Sequence, residues 1–285
     1  MHQPNYQPKQ NCKRICLFAF LFLLLHPAMY AQQYDVNATP GARNKGMGGT
    51  GVTSTNVWAS LHNQAGLAST HQFSIGLYHE SRFMMQQLST NALVLAIPVK
   101  NTTFGLSAQY FGFHLYNETK IGVGLGKNLG GGFSGGIQFD YLSRYVIEQY
   151  GTINHVVAEL GMIYSGFEKF RLGVHVFNPY PIAGESLNSF PLPRTIKAGI
   201  EYTIHSGTSI IAEYAHHSTS AGYFKYGAEH TLKDKVALRI GFIPYNSTYS
   251  FGVGYHGRRL SIDLAFINHQ VLGISPNFSM EYEQP

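Results

Sequence analysis

The residues of this chain that could do chemistry are its histidines, its hydroxyl side chains and a cluster of glycines near residue 45. The chain has 14 His and 2 Cys. A Ser or Thr nucleophile needs a His base within hydrogen-bond reach and a third group that orients the base. No motif joins the histidines to a serine, and the adjacent His216 and His217 would face opposite ways on a strand, so they could not hold one metal together. We therefore predict no catalytic site, no metal site and no cofactor.

The glycine cluster, residues 41–51, does not have the pattern of a phosphate-binding loop. It lacks the Lys-Ser/Thr pair of a P-loop and the strand–turn–helix setting of a dinucleotide site. Glycine allows unusual dihedral angles and close approach of neighbouring backbone. The cluster therefore indicates irregular backbone that is packed inside something narrow.

Both cysteines, Cys12 and Cys16, lie in an N-terminal stretch that has the pattern of an export signal. A basic pair precedes an apolar run at residues 15–25, and the small residue Ala31 suits cleavage by signal peptidase. We predict that residues 1–31 are a cleaved signal peptide. The mature chain would then have no thiol nucleophile, metal thiolate or disulfide.

The composition argues against several classes of protein. Charged residues make up 12% of the 285 residues, about half the share of a typical soluble domain, while aromatic residues reach 14% and there are 31 Gly. Beyond residue 31 the basic residues exceed the acidic ones by only two, so we predict no nucleic-acid partner. The mean hydropathy of −0.08 is too low for a polytopic helical membrane protein. These values favour strands that are apolar on one face only.

From residue 72 onward the sequence alternates with a period of two residues. In the clearest case, residues 195–204, every even position is Ile, Ala or Tyr and every odd position is Thr, Lys, Gly or Glu. Such alternation places one face of a strand in an apolar phase and the other in a polar phase. Fourteen strands are predicted, near 72–80, 90–98, 103–111, 117–127, 132–142, 153–164, 169–177, 194–204, 208–215, 222–231, 235–243, 248–256, 259–267 and 273–283.

The links between the predicted strands alternate in length. Every second link is a tight turn, such as 100–101 or 130–131, and the others are generally longer, including 81–89, 143–152 and 178–193. Outer-membrane barrels have short periplasmic turns and longer external loops. The alternative is a soluble sandwich or barrel, but that would carry more charge on its polar face.

We predict an all-β fold: a 14-stranded antiparallel transmembrane β-barrel at residues 72–285, with an N-terminal lumenal plug, or hatch, at residues 32–71. The polar faces of the strands, which carry charges such as Asp140, Glu159 and Arg239, would then line the lumen. Tyrosines near the strand ends are predicted to form aromatic girdles at the membrane interfaces: Tyr78, Tyr141, Tyr164, Tyr202, Tyr214 and Tyr282.

The N-terminal segment also carries a family resemblance. Gly-Ala-Arg at 41–43, Gly-Met-Gly-Gly-Thr-Gly-Val at 46–52 and Asn-x-Ala-Gly-Leu at 63–67 resemble the start of the long-chain fatty-acid transporter (FadL-like) superfamily, in particular its PorV/PorQ-like branch associated with type IX secretion. Members are fourteen-stranded outer-membrane barrels with a lumenal hatch. This chain has Gln64 where the family usually has Pro, and its predicted external loops are short.

The resemblance implies a ligand or hatch site that is formed by residues of the N-terminal motif. These residues are Arg43, Gly46, Gly48, Gly49, Asn63, Gly66 and Leu67. A second surface, for contact with other proteins, is predicted in the external loop at 178–193. Four prolines stiffen this loop: Pro179, Pro181, Pro191 and Pro193.

The predicted barrel and the family resemblance together imply two possible functions. The first is passage or binding of small hydrophobic, fatty-acid-like molecules across the outer membrane of a Gram-negative bacterium. Glycines at 122–126 offer bends for a lateral opening, although glycine in a barrel wall is usually structural. The alternative is a PorV/PorQ-like accessory role in type IX secretion, with binding of exported proteins or of the secretion machinery. Outer-membrane lipid is a partner in either case.

Overall fold

A computed structural model describes residues 40–147, 151–180 and 192–284. The predicted signal peptide, Pro181 and Pro191 lie outside these ranges. Fourteen antiparallel strands form a closed barrel in which each strand pairs with its sequence neighbours and β1 pairs with β14. The strands are β1 Ser74–Ser81, β2 Ser89–Val99, β3 Thr102–Phe113, β4 Tyr116–Gly130, β5 Phe133–Val146, β6 Gly151–Tyr164, β7 Phe170–Phe177, β8 Thr195–His205, β9 Thr208–His217, β10 Tyr223–Leu232, β11 Val236–Ile243, β12 Thr248–His256, β13 Leu260–His269 and β14 Gly273–Glu283.

The predicted barrel is therefore confirmed, with all fourteen strands near their predicted positions. The apolar phase of the alternation lies outside and the polar phase inside. On β11, Ile240 is 58% exposed on the outer surface, whereas the neighbouring Arg239 points inward and is 2% exposed. This is the reverse of a soluble protein, and it suits an outer surface in contact with lipid.

The links at one end of the barrel are shorter than predicted. A longer loop was predicted at 143–152, but β5 extends to Val146 and β6 begins at Gly151, and these two residues pair with each other. The link between β3 and β4 is only His114 and Leu115. The long link that remains is the one between β7 and β8.

The helices are short. They are α1 Ala42–Gly46 and α2 Ala59–His62, with 3₁₀ helices at Gln64–Ser69, Arg82–Met84, Gln86–Leu88 and Pro244–Asn246. In the part of the chain that is described, none of the helices has the length and apolar character needed to cross a membrane. Residues 40–70, which include α1 and α2, are called the inner segment below, because their contacts are with inward-facing residues of the strands.

One of the tyrosines predicted for the aromatic girdle is placed differently. Tyr78 points into the barrel, is 4% exposed and donates a hydrogen bond to Asn277 on β14. Its position in β1 has the parity of the inward face, alongside Gly76 and Glu80. The girdle prediction was wrong for this residue because closeness to a strand end does not decide which face a side chain occupies.

The outer surface leads to a prediction about stability in a bilayer. Phe251 lies in the middle of β12 and points outward, 56% exposed. We expect Phe251→Arg to lower the free energy of unfolding by about 2–4 kcal/mol in phospholipid vesicles, because it places a charge at the middle of the lipid-facing belt. Tyr255→Arg, near the end of the same strand, is the control and should cost about 0–1 kcal/mol. Urea unfolding of both variants measures this, and equal losses would contradict the assignment of the outer face.

Candidate functional site

A ring of glycines on the inner wall receives the inner segment. Ten strands each contribute one glycine that faces the inner segment, and in nine of the ten a Cβ would lie less than 3.0 Å from an atom of the inner segment; at Gly252 the distance is 3.2 Å. The glycine ring consists of Gly76, Gly105, Gly126, Gly136, Gly161, Gly173, Gly199, Gly227, Gly241 and Gly252. Absence of a side chain lets the backbone of the inner segment approach the wall closely.

Two members of the glycine ring show how tight this fit is. A Cβ at Gly136 on β5 would lie 2.3 Å from the backbone nitrogen of Ala65, and one at Gly241 on β11 would lie 2.0 Å from that of Gly48. Both neighbours are backbone atoms, which cannot turn aside as a flexible side chain can. Any side chain at these positions therefore forces the inner segment to move.

Polar side chains of the wall hydrogen-bond to the backbone of the inner segment. One carboxylate oxygen of Glu213 on β9 accepts from the N–H groups of Gly51 and Val52, at 2.7 and 2.9 Å. On β12, the hydroxyl of Ser250 accepts from Gly48 N–H at 2.9 Å and donates to the carbonyl of Gly46 at 3.1 Å. These bonds pair backbone groups that an irregular segment would otherwise bury unpaired.

Arg43 joins the inner segment to a charge network on the wall. It donates two hydrogen bonds to Glu229 on β10, at 3.0 and 2.6 Å. Glu229 also pairs with Arg239, whose Nη1 lies 2.7 Å from Asp263. Burial alone would lower the pKa of Arg43, but the Glu229 carboxylate outweighs burial and raises it, so Arg43 is a permanent cation in this network.

A second network surrounds Glu159 on β6. One carboxylate oxygen of Glu159 is paired with Lys120, and the other accepts from Gln64 of the inner segment at 2.6 Å and lies 2.9 Å from His175. Asp140 lies 3.4 Å from the same Lys120 ammonium group. Gln64 is the residue that departs from the family pattern, and it makes a contact that proline could not make.

Asn63 and His62 hold the middle of the inner segment together. The Asn63 amide donates to the carbonyl of Val52 at 2.7 Å and to that of Val174 on β7 at 3.2 Å. His62 is hydrogen-bonded to the carbonyl of Pro40 at 2.9 Å, and burial lowers the pKa of His62 to about 3. A neutral imidazole that donates its Nε2 proton to this carbonyl fits both observations.

The remaining residues of the predicted ligand or hatch site lie in the inner segment and play different parts. Gly46 contacts Gly252 on the wall, and Leu67, fully buried, contacts Gly105 and Gly126 of the glycine ring. Gly48 and Gly49 both have a φ of +72°, a left-handed backbone conformation that favours glycine. The carbonyl of Gly49 accepts from Lys225 at 3.2 Å. Gly66 contacts Ser54 and Ala59, which belong to the inner segment itself.

Towards β1 and β2 the contact has a different character. Apolar side chains of the inner segment pack there against inward-facing residues of the two strands. This apolar cluster consists of Val57, Trp58, Ala59, Leu61, Leu67, Tyr78, Ala92, Val94 and Ala96. The ring of Trp58 meets that of Tyr78 edge-on, with centroids 6.2 Å apart.

A recess opens on the inner wall at the end of the barrel where the β3–β4 and β5–β6 links lie. Its lining combines apolar side chains with two ion-paired cations: Lys120, already described, and Arg144, whose Nε donates to Glu118 at 2.8 Å. The lining residues are Gln109, Phe111, Glu118, Thr119, Lys120, Leu142, Ser143, Arg144, Ile153, His155 and Leu192. A recess of this composition is suited to a small, mainly apolar ligand.

The adjacent histidines of β9 lie on opposite faces of the strand. His216 is exposed on the outer face of β9, whereas His217 points inward, 2.9 Å from the Thr195 hydroxyl. They therefore face opposite ways, as predicted. Within residues 40–147, 151–180 and 192–284, no group of three or more His, Cys, Asp or Glu residues has the geometry of a metal site.

The predicted external contact loop is described only at its two ends. Pro179 and Pro193 are both half-buried, and the Asn178 amide donates to the carbonyl of Leu192 at 3.2 Å, which joins the two ends.

The role of the strand glycines in receiving the inner segment was not predicted from the sequence. Gly126 was predicted to offer a bend for a lateral opening, but β4 pairs continuously with β3 and β5 from residue 122 to residue 126. Its role is to seat Gln64 and Leu67. The inward parity of the ring glycines is the signal that could have revealed the seat, since glycine otherwise weakens a strand.

Comparison with solved structures supports the fold, whereas the other comparisons find no match. No family model matches the chain, and no curated protein matches it. Among solved structures, the CymD monoaromatic hydrocarbon channel is similar, with a TM-score of 0.66 and 12% identity over 88% of this chain and 99% of that chain. The Ralstonia pickettii toluene transporter TbuX is similar with a TM-score of 0.66 and 14% identity, over 87% of this chain and 99% of that chain. A Pseudomonas aeruginosa FadL homologue is similar with a TM-score of 0.59 and 11% identity, over 86% of this chain and 98% of that chain. At such identities these likenesses show a shared fold.

The glycine ring predicts that a single added side chain unseats the inner segment. We expect Gly136→Val to raise the ion conductance of the full chain in planar bilayers, because the new side chain displaces Gln64 and Ala65 from the wall. Gly135→Val is the matched control: its Cβ would first meet the flexible end of Leu129, at 3.0 Å. Equal conductance for both variants and the parent protein would show that the fit at Gly136 does not hold the segment.

The hydrogen bonds that the Glu213 carboxylate accepts lead to a second prediction, on the stability of the seated segment. Glu213→Ala removes the acceptor of two buried backbone N–H groups, and we expect a loss of about 3 kcal/mol or more in the stability of the seated segment, since hydrogen bonds to charged groups contribute about 1.5–3 kcal/mol each. Glu213→Gln keeps an acceptor and should lose less. Hydrogen exchange at the amides of Gly51 and Val52 measures both, and unchanged protection in the Ala variant would contradict the anchor.

Proposed function

We propose that the protein is an outer-membrane channel of a Gram-negative bacterium that binds small hydrophobic molecules and lets them pass. The observation that carries this proposal is the combination of an apolar outer surface with an inner recess whose lining includes Phe111, Leu142, Ile153 and Leu192. The fold shared with the CymD and TbuX channels supports it. An export signal at residues 1–31 would deliver the chain to that membrane.

The inner segment sets the kind of channel. It contacts inward-facing residues from β1 to β14 and is held by charged and backbone hydrogen bonds. We infer that it acts as a hatch, so that the protein excludes general hydrophilic solutes and admits selected ligands through a local rearrangement. Open porins lack such a segment in the lumen.

The charged side chains that line the recess favour one class of ligand over another. Lys120 and Arg144, which line the recess, are already paired with Asp140, Glu159 and Glu118. A carboxylate ligand would have to compete with those acids, whereas an uncharged apolar molecule needs only the apolar part of the lining. We therefore propose that the preferred ligands are uncharged hydrophobic molecules rather than fatty acids. The secretion-accessory role stays a prediction from the family resemblance.

Uptake by cells tests this proposal. A Gram-negative host without its own hydrophobic-molecule transporters, expressing the full chain, should accumulate radiolabelled toluene faster than the same host with an empty vector, and should accumulate labelled oleate less readily. Leu142→Trp fills the recess and should reduce toluene uptake several-fold. Tyr141→Trp, the outward-facing neighbour, is the control and should leave uptake unchanged. Uptake equal to that of the empty vector would end the proposal.

A further inference from the structure

The contacts of the inner segment divide the barrel into two sides. On the side of β6 to β12 the segment is held by Glu159, Glu213, Glu229 and Ser250 through hydrogen bonds. Moving the segment there would leave buried backbone groups and charges without partners, which is costly. On the side of β1 and β2 the contact is the apolar cluster, together with one ion pair near the end of β1, where Lys45 Nζ lies 3.5 Å from Glu80. An apolar molecule that takes the place of the cluster's apolar contacts can leave this ion pair intact.

Trp58 lies at the centre of the apolar cluster. It is fully buried, and its indole N–H has no hydrogen-bond partner among the described residues. The ring sits over Gly76, where a Cβ would be 2.9 Å from its Cζ2 atom. Packing against Tyr78 and Val94 therefore holds the ring, and no hydrogen bond has to break for it to turn.

The recess and this cluster are neighbours across the pairing of β2 with β3. Phe111 and Gln109 line the recess from β3. The β2–β3 register places Thr90 opposite Phe111 and Ala92 opposite Gln109. The inward positions that follow along β2 are Val94 and then Ala96, both fully buried against the inner segment. A row of small, mainly apolar side chains on β2, from Thr90 to Ala96, thus extends from beside the recess to the apolar cluster around Trp58.

We propose that a small uncharged apolar molecule crosses the barrel between the inner segment and strands β1 and β2, where Trp58 turns aside, while the anchors on the opposite wall stay in place. This rests on the proposed function, because it names the route by which the same ligand passes. Trp58 is a gating residue in this route, and the small side chains of Ala92 and Ala96 set the size of molecule that fits.

The first test uses Trp58 as the reporter, since it is the single tryptophan of the chain. The full chain in detergent micelles is titrated with bromobenzene, an apolar heavy-atom quencher. Quenching of Trp58 should saturate, and toluene should relieve it by competition. In the control, Trp58→Phe combined with Phe251→Trp, the reporter faces the detergent, and its quenching should rise without saturation. Absence of saturable quenching at Trp58 would overturn the route.

The second test pins the two sides of the inner segment separately, in a background with Cys12→Ser and Cys16→Ser. Ser60→Cys with Gly105→Cys joins α2 to β3 beside the apolar cluster; the Ser60 Cβ lies 3.6 Å from a Cβ built on Gly105, within the usual range for a disulfide. Met47→Cys with Gly227→Cys joins the segment to β10; the Met47 Cβ lies 2.7 Å from a Cβ built on Gly227, so this pair needs a small backbone shift. Both pairs add a side chain at a position of the glycine ring, so each oxidised form is compared with the reduced form of the same variant, which carries the same added side chains.

The oxidised forms of the two pairs should differ in the cellular toluene-uptake assay. The Ser60–Gly105 cross-link should abolish uptake and a reductant should restore it, whereas the Met47–Gly227 cross-link should leave uptake near that of the reduced protein. The reverse result, or no loss with either cross-link, would overturn the route while the channel function stands. No toluene uptake by the parent protein would instead overturn the proposed function.

Discussion

The arrangement inside this barrel depends on one requirement: a stretch of irregular backbone is buried there, and its N–H and C=O groups must be paired. The wall meets this requirement with polar side chains at fixed positions, among them Glu213, Ser250 and Ser279. Short hydrogen bonds from such side chains need the backbone to lie close to the strands, and the glycine ring provides that closeness. The high glycine content thus serves the pairing of buried backbone as well as the shape of the wall.

The same requirement explains why charges are concentrated within the barrel. Arg43 and Gln64 of the inner segment are members of networks that also contain wall residues, so the carboxylates of Glu229 and Glu159 each lose one partner when the segment leaves its seat. Wall and segment therefore stabilise each other. At the apolar cluster beside β1 and β2 the inner segment is held mainly by side-chain packing, with the Lys45–Glu80 ion pair beside it.

The barrel could be predicted from the sequence and most of its interior could not. Strands such as 195–204 show a period-two alternation that is local, and the number of strands follows from counting. The bond from Glu213 to Gly51 joins residues 162 positions apart, and no local pattern indicates such a pair. Asn63 was predicted as a site residue from the family motif, whereas Trp58 and Gln64 were not, because their importance comes from the strands they meet after the barrel has closed.

The path of the inner segment has a consequence for the seam of the barrel, where β1 and β14 meet. Ala42 donates its N–H to Ser279 on β14, and Trp58 rests on Gly76 of β1, so the segment fastens both sides of the seam from within. Main-chain pairing between the first and last strands is thus reinforced by an internal clasp supplied by the residues that precede them in the chain. The seam is therefore held by two kinds of contact: main-chain pairing between β1 and β14, and the contacts that the inner segment makes with each of these strands.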